Sequence, residues 1–239
     1  MEWIAALATL TLLEIVLGID NIIFITLLTR HVSGAEGKKL RRTGLVLALL
    51  FRLIMLMGLS WLMSLNREVL SINGLSLSIR DVILIAGGVF LLYKSTWEMH
   101  KKVNDPNHLQ DDTQSSNIPK KVDRRNWILA QIVLVDIVFS VDSILTAVGL
   151  SNELWLMVLA VVLSMGVMAW LAEPIQKFVS SQPGIQILAL AFLMLIGFML
   201  MLEGFHHELP KGYLYFALSF SLGVELLRQR LERNSDAST

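Results

Sequence analysis

Leu13-Glu14-Ile15-Val16-Leu17-Gly18-Ile19-Asp20-Asn21-Ile22-Ile23 recurs 122 residues later as Val135-Asp136-Ile137-Val138-Phe139-Ser140-Val141-Asp142-Ser143-Ile144-Leu145. Acid meets acid twice, Gly18 meets Ser140, and Asn21 meets Ser143. The shared pattern is an acid, five residues, an Asp and then a small polar side chain. Each copy sits within a long apolar run, from about Trp3 to Leu28 and at roughly 127–149. A helix needs ~20 such residues to cross the hydrocarbon core of a bilayer. Both runs therefore read as transmembrane helices with carboxylates near their middles. An unpaired charge at that depth costs on the order of 2.5–3.5 kcal/mol on insertion scales. Structure alone rarely needs four of them in a repeated pattern.

The rest of the chain follows the same rule. Of its 239 residues 54% are apolar and 17% charged, and the mean hydropathy is +0.62. Too little polar sequence is left to cover a soluble protein. Further apolar runs lie at roughly 44–65, 80–97, 154–178, 184–204 and 212–228. The expected fold is all-α: a polytopic membrane protein with seven transmembrane helices. The third run is the weakest, because Arg80 and Asp81 open it and Lys94 arrives early. It spans if Arg80 and Lys94 snorkel and Trp97 sits at the interface. The start, Met1-Glu2-Trp3, lacks the basic n-region of a signal peptide, so the first run is expected to be a retained helix. Val103 to Asp123 is rich in Asp, Asn, Gln and Ser and holds Pro106 and Pro119. Such a segment cannot bury an apolar face and reads as a disordered loop. The chain divides into a first repeat at 1–98, a cytoplasmic loop at 99–125, a second repeat at 126–206, and a seventh helix and tail at 207–239.

Charge sets the orientation. Basic and acidic residues number 20 each, so the formal net charge is zero. Without a basic excess to neutralise phosphates, nucleic acid is not an expected partner. Cysteine is absent, which excludes disulfides, thiolate metal sites and cysteine catalysis. Sixteen of the 20 basic residues lie in the connections 29–43 and 94–126, at Lys177 and in the tail. The opposite connections hold Arg67, Arg80 and Lys211, and Arg52 lies inside a span. The positive-inside rule then puts the N-terminus outside and the C-terminus in the cytoplasm. Span one runs inward and span four outward, so spans 1–3 and 4–6 form an inverted repeat. Many transporters share this layout and bind their substrate between the halves.

The mid-span acids are Glu14, Asp20, Asp136 and Asp142, and the only mid-span base is Arg52. Arg52 is a counter-charge for one acid at most, so a cation or protons must compensate the rest. Residues six apart on a regular helix sit about 120° apart, whereas residues seven apart sit about 20° apart. Glu14 and Asn21 would thus share a face, but Glu14 and Asp20 would not. Helix breaks at Gly18 and Ser140 are expected to turn both acids of each copy inward and free backbone carbonyls as ligands. Every candidate ligand is a hard oxygen, which suits Mg, Ca or Mn rather than Cu or Zn.

Other polar residues have plainer readings. Glu173, beside Pro174, reads as a helix-end acid, and Glu203 and Glu225 as interfacial acids. His206-His207 reads as a solvated extracytoplasmic pair. The eleven methionines read as lipid-facing or packing residues. Gly87, Gly88 and Gly197 read as points of close helix packing. No nucleotide-binding motif, serine–histidine arrangement or closed metal triad is present, so neither ATP use nor enzymatic activity is expected.

At the level of whole motifs the chain resembles the TerC family of bacterial integral membrane proteins. The residues that carry the resemblance are Thr11-Leu12-Leu13-Glu14-Ile15-Val16-Leu17-Gly18-Ile19-Asp20-Asn21, Val135 to Ser143, Ala147-Val148-Gly149-Leu150 and Pro210-Lys211-Gly212-Tyr213. It covers essentially all seven spans and is greatest to compact members without appended soluble domains. The resemblance implies a multi-pass protein of the bacterial inner membrane. It implies that Glu14, Asp20, Asn21, Asp136, Asp142 and Ser143 form a metal site. It also implies export and a preference for manganese, since several relatives are implicated in manganese efflux. The expected partners are a divalent metal ion, protons and the lipid bilayer, with no cofactor and Mn²⁺ as substrate. Nothing in the pattern sets an oligomeric state. Two rivals remain open: an exporter of small organic solutes with the acids as proton relay, and a non-transporting membrane scaffold or insertion factor associated with tellurium resistance.

Overall fold

Long apolar runs with few breakers fold as seven long helices among the described residues. The computed structural model describes residues 2–29, 32, 34–58, 63, 68–72, 75–104, 121–150, 153–207 and 209–236. The helices are α1 (Glu2–Thr29), α2 (Gly34–Met57), α3 (Ile79–Asn104), α4 (Lys121–Leu150), α5 (Leu154–Ser181), α6 (Pro183–Gly204) and α7 (Lys211–Asp236). Five of them, α1, α3, α4, α5 and α6, are long and apolar enough to cross a membrane by themselves. The other two are diluted by charged turns: Lys38, Lys39, Arg41 and Arg42 near the start of α2, and Arg228 and Arg230 in the second half of α7.

Helix boundaries differ from the apolar runs where polar residues extend a helix. α2 starts at Gly34, about ten residues before its apolar run. α3 continues to Asn104 and α4 begins at Lys121. The connection expected to be disordered at 99–125 is therefore helical at both ends, and its centre, 105–120, lies outside the described residues. Lys94 pairs with Glu98 one turn on, at 3.0 Å. Lys101 lies 5.9 Å from the Trp97 ring centre. Such i,i+4 contacts support a helix beyond the bilayer core. A small antiparallel hairpin, β1 (Glu68–Ile72) and β2 (Leu75–Ser78), precedes α3 and was not expected. Its sequence signal is Asn73-Gly74 between the paired Ile72 and Leu75. Pro174 lies inside α5, so Glu173 does not end a helix; it is exposed and pairs with Lys38 at 2.8 Å and Lys177 at 3.7 Å.

Contacts sort the helix ends into two sets. At one end, Trp3 of α1 packs on Trp155 of α5, with ring centroids 6.3 Å apart. Arg80 at the start of α3 pairs with Glu203 at the end of α6, and Lys211 at the start of α7 pairs with Asp142 of α4. At the other end, Lys38 of α2 meets Glu173 of α5, Lys102 of α3 bonds Gln186 of α6, and Gly184 of α6 faces Glu225 of α7. Successive helices therefore alternate in direction. The second end carries the basic population, and the positive-inside rule assigns it to the cytoplasm.

Packing places the acidic helices at the centre. The buried shares of the apolar windows of α1 and α4 are 61% and 67%, against 28–44% for α3, α5 and α6. Every residue from Asp20 to Thr29 on α1, and from Val138 to Ile144 on α4, is buried. Around this core, α1 packs on α5 as α4 packs on α2, and α1 meets α6 as α4 meets α3. The pairs α1–α4, α2–α5 and α3–α6 also form. Exchanging α1 with α4, α2 with α5 and α3 with α6 leaves this set of pairs unchanged. The contacts α1–α2 and α5–α6 break the rule, with no counterpart of similar extent among the described residues. The α3–α6 pair is close because of glycine, as the sequence leads one to expect. A Cβ on Gly88 would lie 2.5 Å from the Gly197 carbonyl oxygen, and one on Gly197 would lie 2.8 Å from that of Gly88.

Candidate functional site

The helix breaks expected at Gly18 and Ser140 do not occur: α1 and α4 are continuous through both positions. Both residues have other work. A Cβ at Gly18 would lie 2.2 Å from the Met168 sulfur, so the glycine lets α5 approach α1. The Ser140 hydroxyl donates to Asp136 Oδ2 at 3.4 Å and accepts from Arg52 Nε at 3.1 Å. On unbroken helices the acids of each copy face different neighbours. The six expected ligands consequently divide into two groups.

The first group is built on Arg52, which is 1% exposed. Its Nη1 donates to Glu14 Oε2 at 2.7 Å and its Nη2 to the Ser143 hydroxyl at 3.3 Å. Asn21 Nδ2 donates to Asp136 Oδ1 at 3.0 Å. Glu14 and Asn21, expected on one face, both point into this network. The guanidinium thus joins α2 to both copies of the repeated motif. A buried pair of this kind is stabilising only while both partners are present.

The second group lies toward the end where α3, α4, α6 and α7 meet. A cavity of about 50 Å³ has Asp20, Asp142, Ser143, Glu203, Lys211 and Tyr215 among its polar walls, with Leu17, Phe139 and Ile196 among the apolar ones. It exceeds the ~10–15 Å³ that one water requires. Asp142 accepts from Arg80 Nη2 at 3.3 Å and from Lys211, and Arg80 also donates to Glu203. The Tyr215 hydroxyl donates to the Val16 carbonyl at 3.5 Å and holds α7 against α1. Asp20 Oδ1 is buried without a hydrogen-bond partner among the described residues. No three described Asp, Glu or His side chains converge as a preformed metal site.

The sequence matches the profile of the family described as "Integral membrane protein TerC family" over residues 1–238. The chain belongs to this family. It is 42% identical over 238 residues to a UPF0053 protein of Haemophilus influenzae, covering 97% of this chain and 98% of that one. It is 43% identical over 225 residues to the UPF0053 inner membrane protein YgdQ of Escherichia coli, covering 94% and 91%. The UPF0053 protein YegH of Escherichia coli is 41% identical over 236 residues, but this chain spans 44% of its length. No solved structure matches. YgdQ is named an inner membrane protein, and this TerC-family chain, with five helices long and apolar enough to cross a membrane, is a multi-pass inner membrane protein.

Three residues of this candidate site in the TerC-family chain escaped the reading of the sequence: Arg80, Glu203 and Lys211. Each is a charge of the wrong sign for its helix end. Arg80 and Lys211 sit at helix N-termini, where the macrodipole disfavours cations, and Glu203 sits at a C-terminus, where it disfavours anions. Such misplacement is a readable signal that the partner lies elsewhere. The placement of Arg80 is also legible. The Ser78 amide and hydroxyl donate to Asp81 Oδ2 at 2.8 and 2.7 Å, and the Asp81 amide donates to the Ser78 hydroxyl at 3.2 Å. This reciprocal cap starts α3 one residue before Arg80. The solvated-pair reading of His206-His207 fits both residues, which are exposed. His206 Nε2 lies 3.1 Å from Asp81 Oδ2 and adopts φ 63°, which turns the chain away from α6. Glu225 bonds Arg228 and Gln229 on its own helix and joins neither group.

Proposed function

We propose that this chain is a secondary transporter that exports a divalent metal cation, Mn²⁺ foremost, in exchange for protons. The observation that carries the reading is a charge deficit. The two groups together hold five acids, Glu14, Asp20, Asp136, Asp142 and Glu203, and three bases, Arg52, Arg80 and Lys211. With all eight ionised the two groups together carry two uncompensated negative charges. Charge at this depth must be neutralised. One divalent cation or two protons does so equally, which makes exchange of one for two electrically neutral at the site.

The ligand chemistry supports a hard cation. Carboxylate, amide and hydroxyl oxygens from Glu14, Asp20, Asn21, Asp136, Asp142 and Ser143 suit manganese, and magnesium or calcium by the same rule. Arg52 and Lys211 already occupy carboxylate oxygens, so an arriving cation competes with tethered basic groups for the same atoms. The manganese preference and the outward direction rest on the family resemblance. The residues and their burial support cation handling as such.

Everted vesicles loaded with a fluorescent manganese indicator test the reading. Acid-driven or gradient-driven manganese flux is expected, falling at least tenfold in Asp20→Asn and Asp142→Asn. Unchanged flux in both variants would remove the proposed roles. Substrate-dependent flux of an amino acid without manganese dependence would favour the organic-solute exporter instead.

A further inference from the structure

We infer that Lys211 and Arg80 form an electrostatic gate over the extracytoplasmic end of the cation path, with Lys211 of α7 as its moving part. The inference rests on the transport reading and names how one side of that site closes. Four helices converge at this end, and these two cations between them link all four. Arg80 of α3 holds Asp142 of α4 and Glu203 of α6, while Lys211 of α7 holds the other Asp142 oxygen. Beneath them lies the cavity, which extends from Lys211 to Asp20. Lys211 is 38% exposed on its side chain, whereas Asp142 is 9% exposed, so the lysine bridges solvent and interior.

The two copies of the motif are unequal here. Asp20 and Asp142 hold equivalent positions in the repeated sequence. Asp142 has two cationic partners, and Asp20 Oδ1 has no hydrogen-bond partner among the described residues. One of these partners, Arg80, belongs to α3, and the other, Lys211, comes from α7, which lies outside the six helices that exchange in pairs. Lys211 therefore has no counterpart in the first repeat, and the device closes one end only. Its position at a helix N-terminus opposes the dipole, so the ammonium is held by Asp142 rather than by its own helix. A divalent cation bound between Asp20 and Asp142 would take over the carboxylate and repel both bases. The cargo thus opens its own exit, and the bases return when it leaves.

The chain has no cysteine, so one introduced thiol reports on access without background. Met199 lines the cavity and takes no part in ion pairing. The test is the rate at which Met199→Cys reacts with a membrane-impermeant maleimide added outside right-side-out vesicles. Slow labelling is expected with Lys211 present, at least tenfold faster labelling with Lys211→Gln, and slow labelling again with Lys211→Arg. Leu209→Cys, in the exposed connection, should react equally in all three backgrounds and controls for misfolding. Equal Met199→Cys rates in the native and Lys211→Gln backgrounds would overturn the gate, whatever the flux measurements show. Manganese supplied from the cytoplasmic face should speed labelling in the native background. Faster labelling in Lys211→Gln without any manganese effect would keep the gate and overturn the transport reading.

Discussion

At the residue scale, two ion pairs of similar length differ in consequence because of where they lie. Arg52–Glu14 is buried, at 1% and 2% side-chain exposure, and Lys38–Glu173 is exposed. Removing Arg52 strands Glu14 in the interior, which costs about 3–5 kcal/mol. Arg52→Ala should accordingly lose that much unfolding free energy in detergent, read by circular dichroism against denaturant. The paired change Arg52→Met with Glu14→Gln should recover most of the stability, because neither charge is left alone. Lys38→Ala should leave the unfolding midpoint unmoved, since solvent screens the pair. Much of this site is legible in the sequence. The charge count singles out Arg52 as partner to one acid, and the seven-residue spacing puts Glu14 and Asn21 on one face. The second group is less legible because Arg80, Glu203 and Lys211 lie at span ends. Only the tertiary meeting of four helix termini brings them over Asp142.

At the element scale, the decisive choices are small residues. Gly18 and Ser140 were expected to interrupt their helices and instead hold them together, Gly18 by admitting Met168 and Ser140 by bonding Arg52 and Asp136. A glycine in a membrane helix can mark a break or a close neighbour, and periodicity cannot distinguish the two. Span existence was legible because apolar length is a one-dimensional property. Boundaries such as Gly34 and Asn104 were not, because helices continue through charged turns that hydropathy excludes. The Gly88 contact gives a direct test. Gly88→Val forces a side chain into the Gly197 backbone and should cost about 1–3 kcal/mol. Gly166→Ala, on α5, meets nothing within 4 Å and should be neutral or slightly stabilising. Thermal denaturation in detergent would show the two variants shifting differently, and equal shifts would refute the packing role of Gly88.

At the scale of the whole molecule, zero net charge conceals a sharp separation. The basic residues gather at one end of the helices, and the acids of the repeated motif lie in the two most buried elements. This polarity predicts that a fluorescent protein fused after Thr239 will fluoresce, because it folds in the cytoplasm. An alkaline phosphatase fusion at the same place should be inactive. The reverse pattern would invert the molecule and put Lys211 on the cytoplasmic side.

The Gly88–Gly197 crossing has one more consequence. Each glycine approaches the carbonyl of the other, so the contact is isologous, like the centre of a symmetric dimer. A two-fold axis in the membrane plane would pass through it. Points on such an axis stay fixed while everything else turns about them. Spin labels flanking this crossing should hold a constant separation through the proposed transport cycle, while labels at the outer ends of α1 and α4 move.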